Sequence, residues 1–253
     1  MKIKPYFRTK LSEPFQGKYY HEAGASVALT SAIETKSLGK FMVIIPDPVS
    51  LNFNNAVNFI ERSKQIKQEI DNNKKMTVFS GKLNEKDIKG LNLNQIKELD
   101  KDADIFRDLE NDKIFDYIQT TMGVVVSLVT AVESFLNMII PFDYTVEITR
   151  QGEKKIIEKN EIVRRFSIED KIELVEKCKG KTGIKQQKFW NSFKIVKELR
   201  DNIIHFKKTD SNLNQLWSPI IVLLFDIDFD KTFVDFVDLV NYLEPAYLEE
   251  DKS

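Results

Sequence analysis

The stretch from Met122 to Pro141 reads M-G-V-V-V-S-L-V-T-A-V-E-S-F-L-N-M-I-I-P, and it limits the possible folds more than any other part of the chain. Its length suits a membrane span of about 20 residues. Glu133, however, stands at its centre, with Ser127, Thr130, Ser134 and Asn137 nearby. A carboxylate at the middle of a bilayer costs about 3 kcal/mol. The run therefore reads as the core of a long helix from Asp112 to Ile140 in a soluble protein, with no membrane as partner. A glutamate in such a helix needs a partner of its own.

A chain of 253 residues is long enough for one large domain or two small ones. Apolar residues make up 42% and charged residues 30%, an ordinary globular balance. The net charge of −1 points to neither nucleic acid nor membrane. Its distribution is uneven: residues 171–208 hold eleven Lys/Arg against four Asp/Glu, and residues 209–253 hold two against ten. Such a split can build a basic face that attracts phosphates, or two solvated helix faces. The single cysteine, Cys178, excludes a disulfide framework within the chain and suits a reducing compartment. The opening M-K-I-K-P-Y-F-R-T-K has no apolar core of a secretory signal, so the expected location is cytoplasmic.

Residues 1–105 read as a small mixed α/β region of unassigned role. A small-residue helix is expected from about Glu22 to Lys36, and a buried strand from Lys40, stopped by Pro46 and Pro48. Val57, Ile60, Ile66 and Ile70 recur near helical spacing between Asn54 and Asp71, and a turn and short strand follow. Asn84 to Asp102 is polar and is the linker candidate. Beyond the long helix, Tyr144, Val146 and Ile148 alternate, Gln151-Gly152 makes a turn, and Lys155 to Ile162 returns as a second strand. Ser167 with Asp170 is a capping-box start for the next helix, and Gly180 and Gly183 end it. Helices are then expected from Gln186 to Phe206 and from Thr232 to Leu248, with an apolar segment from Leu213 to Phe225 between them.

Several chemical motifs fail on inspection. K-G-K-T-G (Lys179 to Gly183) has Val175 where a phosphate loop needs its first glycine. D-I-D-F-D (Asp226 to Asp230) starts like a calcium loop, but Lys231 replaces the turn glycine, so a helix cap is the better reading. His21-Glu22 is followed by no second histidine at zinc-helix spacing, and two histidines with one cysteine make a zinc site improbable. No metal and no cofactor are expected, and no G-x-S-x-G nucleophile turn exists.

The helix ending K-E-L-R-D-N-I-I-H-F-K-K (Lys197 to Lys208) stands apart. At about 100° per residue Phe189, Phe193, Val196, Leu199 and Ile203 form one stripe, and Arg200 lies roughly 20° from Phe189, near its centre. Asp201 and His205, at about 120° and 160°, are neighbours one turn apart. A guanidinium on an apolar face must be paired or open onto a crevice. In one reading Arg200 pairs with Glu133, and Asp201 holds a partly exposed His205. In the other, Arg200 and His205 share a crevice where the imidazole exchanges protons and the guanidinium stabilises charge on phosphorus. Lys207 and Lys208 would add contacts to a phosphate backbone.

The segment E-L-R-D-N-I-I-H resembles the signature of the HEPN superfamily: an arginine, a polar residue (here Asp201), a short spacer and a histidine near a helix end. The long helix with A-V-E-S-F-L-N, upstream of the Arg/His helix, is similar to the family's arrangement, and the resemblance covers roughly Asp112 to Leu248. It implies a fold that is mainly α: a HEPN-like helical bundle with a β-hairpin insertion over 106–253, behind the mixed region 1–105. The hairpin departs from the minimal bundle.

Many HEPN domains are dimeric, metal-independent endoribonucleases of toxin, phage-defence and RNA-processing systems. On that resemblance the substrate is RNA, His205 is the general acid/base, Arg200 holds the scissile phosphate, Asp201 and Asn202 orient them, and 2′,3′-cyclic phosphate ends result. An antitoxin would be a natural partner. Other HEPN-like domains serve as dimerisation modules or as partners of nucleotidyltransferases. The alternative function is thus a non-catalytic module with Arg200 buried against Glu133.

Overall fold

The computed structural model describes residues 3, 8–10, 15–16, 20–21, 26–28, 30–72, 76–80, 90–91, 93–99, 104–107, 109–150, 153–205 and 213–249. In chain order the strands β1 (Arg8–Lys10), β2 (Phe15–Gln16), β3 (Tyr20–His21), β4 (Ser26–Ala28), β5 (Thr30–Thr35) and β6 (Gly39–Ile44) precede helix α1 (Pro48–Asn72). Then come β7 (Met76–Ser80), α2 (Leu93–Leu99), β8 (Asp104–Arg107) and the long helix α3 (Asn111–Ile139). The hairpin β9 (Thr145–Arg150) and β10 (Glu153–Glu158) leads into α4 (Lys159–Arg165), α5 (Ile168–Cys178), a 3-10 turn (Ile184–Gln186), α6 (Phe189–Ile204), α7 (Leu213–Asp226) and α8 (Phe229–Leu243). The architecture is mainly helical, and the described strands pair antiparallel, two by two.

The chain packs as two compact units, residues 1–58 with 122–253, and residues 59–121. These boundaries fall inside α1 and α3, whereas the division expected from sequence lay at 105/106. Chemical composition changes there, but a continuous helix can carry one unit into the next without a linker. The polar linker candidate, Asn84–Asp102, contains α2, and residues 84–89, 92 and 100–102 of it lie outside the described residues.

In the larger unit, α1 starts at Pro48, ahead of the helical spacing read from Asn54. The Asp47 carboxylate accepts from the Val49 and Ser50 amides, each at 3.1 Å, and from the Ser50 hydroxyl at 2.7 Å, with Pro48 at the first helical position. The core is built from α3, α5, α6 and α8. Val125, Leu128, Val132, Phe135 and Leu136 of α3 are buried, as are Ile172, Phe193, Val196, Phe236 and Val240. Phe193 meets Phe236 at 5.9 Å between ring centres, and Phe53 meets Phe233 edge-on at 5.6 Å. Helix α3 is long and apolar enough to cross a membrane by length and composition, yet half of its apolar window is buried inside the structure.

In the smaller unit the residues at helical spacing on α1, Ile60, Ser63, Ile66 and Ile70, are all buried. Lys113 lies 3.3 Å from Glu69 there. Burial first, and the Asp71 charge second, push the Tyr117 hydroxyl above its ordinary pKa.

Three expectations are corrected. The helix expected from Glu22 to Lys36 is strand at its described residues 26–28 and 30–35, with Lys36 in the turn that follows: β4 pairs with β1, and β5 pairs with β6 from Thr30 opposite Ile44 to Thr35 opposite Gly39. Val27, Thr30, Ile33 and Thr35 are β-branched, and Gly39 takes φ +68°, the left-handed geometry that closes the turn. The strand from Lys40 exists but is not buried: Phe41, Met42 and Ile44 are exposed. The second strand of the later hairpin stops at Glu158, and residues to Arg165 form α4 instead. Its turn, Gln151-Gly152, lies outside the described residues.

Candidate functional site

Helices α3, α5 and α6 meet around Arg200. Helix α5 is set by Ser167, whose hydroxyl accepts from the Asp170 amide while the Asp170 carboxylate accepts from the Ser167 amide and hydroxyl. On α6 the apolar stripe is as the spacing predicts, with Phe189, Phe193, Val196 and Leu199 buried. Arg200 rides on it with its side chain only 16% exposed.

Its charge is neutralised on the spot. One guanidinium nitrogen lies 3.7 Å from Glu133 Oε2 and the other 3.0 Å from Asp201 Oδ1. Glu133 is shared with Lys171 of α5, whose ammonium lies 3.5 Å from Glu133 Oε1 and donates to the Val163 carbonyl at 2.7 Å. Asp201 is shared with Lys197, which lies 3.0 Å from Asp201 Oδ2 and 3.0 Å from Glu169 Oε1. Burial works against the Lys197 ammonium, but the bonds to Glu169 and Asp201 more than offset it and raise its pKa. The result is an alternating ladder, Lys171, Glu133, Arg200, Asp201, Lys197, Glu169, with three charges of each sign. Two acceptors, Asn137 Oδ1 and Glu169 Oε2, are buried without a hydrogen-bond partner among the described residues.

His205 takes no part in the ladder. It ends α6, its amide donates to the Asp201 carbonyl at 2.9 Å, and its side chain is exposed. The expected side-chain hold of Asp201 on His205 is absent among the described residues, because both Asp201 oxygens already serve Arg200 and Lys197. Asn202 is exposed one position on. Lys207 and Lys208 lie outside the described residues.

Part of the basic surplus of residues 171–208 is engaged inside the molecule. Lys179 pairs with Glu244, Lys185 with Glu173, and the Lys181 ammonium donates to the Tyr242 carbonyl while standing over the Tyr242 ring. Of the acidic residues after 209, Glu244 thus draws in one of these cations. Asp228, within the D-I-D-F-D segment, accepts from the Lys231 amide and caps α8. No group of three or more His, Cys, Asp or Glu suited to a metal ion occurs among the described residues.

Sequence reasoning missed Lys171, Lys197 and Glu169. For Lys171 a signal was present: Ile168, Lys171, Ile172 and Val175 share one helical stripe, so Lys171 interrupts an apolar face much as Arg200 does, and it is 1% exposed. Comparison with known proteins returns no matching family model, no similar curated protein and no similar solved structure.

Proposed function

We propose that the chain is a non-catalytic, HEPN-like partner-binding module in which Arg200 is structural. One observation carries this reading: the Arg200 guanidinium is mostly buried and already held by two carboxylates, Glu133 and Asp201. A guanidinium that binds a phosphate needs uncompensated charge, and the ladder has none to spare.

A second reading, the metal-independent endoribonuclease, is favoured by His205 alone. Its imidazole is exposed at a helix end within six residues of Arg200, where proton exchange with an RNA 2′-hydroxyl is sterically open. In that reading Asp201 and Glu133 release Arg200 to the scissile phosphate.

The test is incubation of purified protein with end-labelled RNA in EDTA, alongside His205→Ala and Arg200→Ala and with their folding stabilities measured. The module reading expects no cutting by any of the three, loss of stability in Arg200→Ala and none in His205→Ala. Cutting by the wild type alone, leaving 2′,3′-cyclic phosphate ends, would overturn it in favour of the ribonuclease.

A further inference from the structure

The root of the β9–β10 hairpin forms a half-open groove of about 270 Å³, lined by residues 142–145 and 158–160. Phe142 is 87% exposed, the most exposed large apolar side chain among the described residues. Tyr144 is a second aromatic side chain lining it. Two exposed carboxylates, Asp143 and Glu158, also line it.

The charge around this groove is unbalanced. Lys154 pairs with Glu147, while Lys155 and Arg165 both pair with Glu161. Lys159 also lines the groove and keeps its positive charge while its ammonium donates to the Ile140 carbonyl at 2.5 Å, so the lining carries two carboxylates against one ammonium. Asp143 and Glu158 are left without a partner among the described residues. An aromatic face beside two unmatched carboxylates is complementary to a cation with a flat face.

We propose that this groove binds an arginine side chain of a protein partner, the guanidinium stacked on Phe142 and hydrogen-bonded by Asp143 and Glu158. The inference rests on the partner-binding reading and names the chemistry of the partner. Arginine fits better than lysine because its planar fork can stack and bond to carboxylates at once, whereas an ammonium is a compact, strongly hydrated point charge. An anion is disfavoured by the two carboxylates.

The probe is N-acetyl-arginine methylamide, titrated into the ¹⁵N-labelled full chain and followed by amide chemical shifts. The lysine analogue and the neutral citrulline analogue serve as parallel titrants. Saturable shifts confined to residues 142–145 and 158–160 are expected with arginine, weaker ones with lysine and none with citrulline. The double variant Asp143→Asn/Glu158→Gln changes only exposed side chains and should lose the shifts while keeping the rest of the spectrum; Phe142→Ala should weaken them. Absence of saturable shifts in the wild type, equal binding of citrulline, or shifts indifferent to the double variant would overturn the proposal. RNA cutting decides the partner-binding reading separately, so a silent groove in a protein that does not cut condemns the groove alone.

Discussion

At the scale of single residues, Arg200 and His205 separate cleanly. Arg200→Ala removes a mostly buried cation but leaves Glu133 with Lys171 and Asp201 with Lys197, so the loss falls below that of an orphaned charge. We expect about 2 kcal/mol of destabilisation in urea or guanidinium unfolding. His205→Ala should stay within about 0.5 kcal/mol of wild type. Lys197 carries a pH signature as well. Its folded pKa is raised, so its contribution to stability is complete below the ordinary lysine value and fades as pH climbs through the folded value. Unfolding followed on the alkaline side should show stability falling with pH, and Lys197→Met should flatten that fall. Arg200 and Glu133 could be picked out of the sequence because each is a lone charge on an apolar stripe. Lys197 and Glu169 could not: on amphipathic helices they look like ordinary solvated positions, and only the meeting of α5 with α6 makes them partners.

At the scale of elements, local chemistry that is complete within a few residues was readable, and chemistry that depends on pairing was not. The start of α5 belongs to the first kind. Ser167 and Asp170 satisfy each other across one turn, so Ser167→Ala should cost about 1 kcal/mol, measured by chemical denaturation, with the helix otherwise intact. The β5–β6 hairpin belongs to the second kind. Its small residues, Ser31 and Ala32, do not mark a strand on propensity alone, and only the register with β6 decides for strand. The turn that closes this hairpin depends on Gly39 at φ +68°, where nothing crowds an added Cβ but an L side chain is conformationally disfavoured. Gly39→Ala should therefore destabilise the hairpin by about 1 kcal/mol, seen as faster amide exchange across residues 30–44 while α5 and α6 keep their protection.

At the scale of the whole molecule, the decisive quantity is where charge goes. The sequence places seven surplus positive charges on residues 171–208 and eight surplus negative charges after them, which suggests a basic face open to phosphates. Folding joins the two populations at Glu244, which takes Lys179, while the uncharged Tyr242 carbonyl takes Lys181 and Glu173 takes Lys185 from within the basic stretch itself. Linear charge runs are legible in a sequence, but their cancellation across the fold is not, since it depends on which helix faces which. A polyanion therefore meets fewer free cations than the count implies, and retention follows the number of phosphate-like contacts that can form. Wild-type protein should leave a heparin column at low salt. The double variant Glu173→Gln/Glu244→Gln frees Lys185 and Lys179 without touching the core, and it should elute at distinctly higher salt with unchanged unfolding behaviour. Strong retention of the wild type, indifferent to these substitutions, would mean that the internal pairs do not hold in solution.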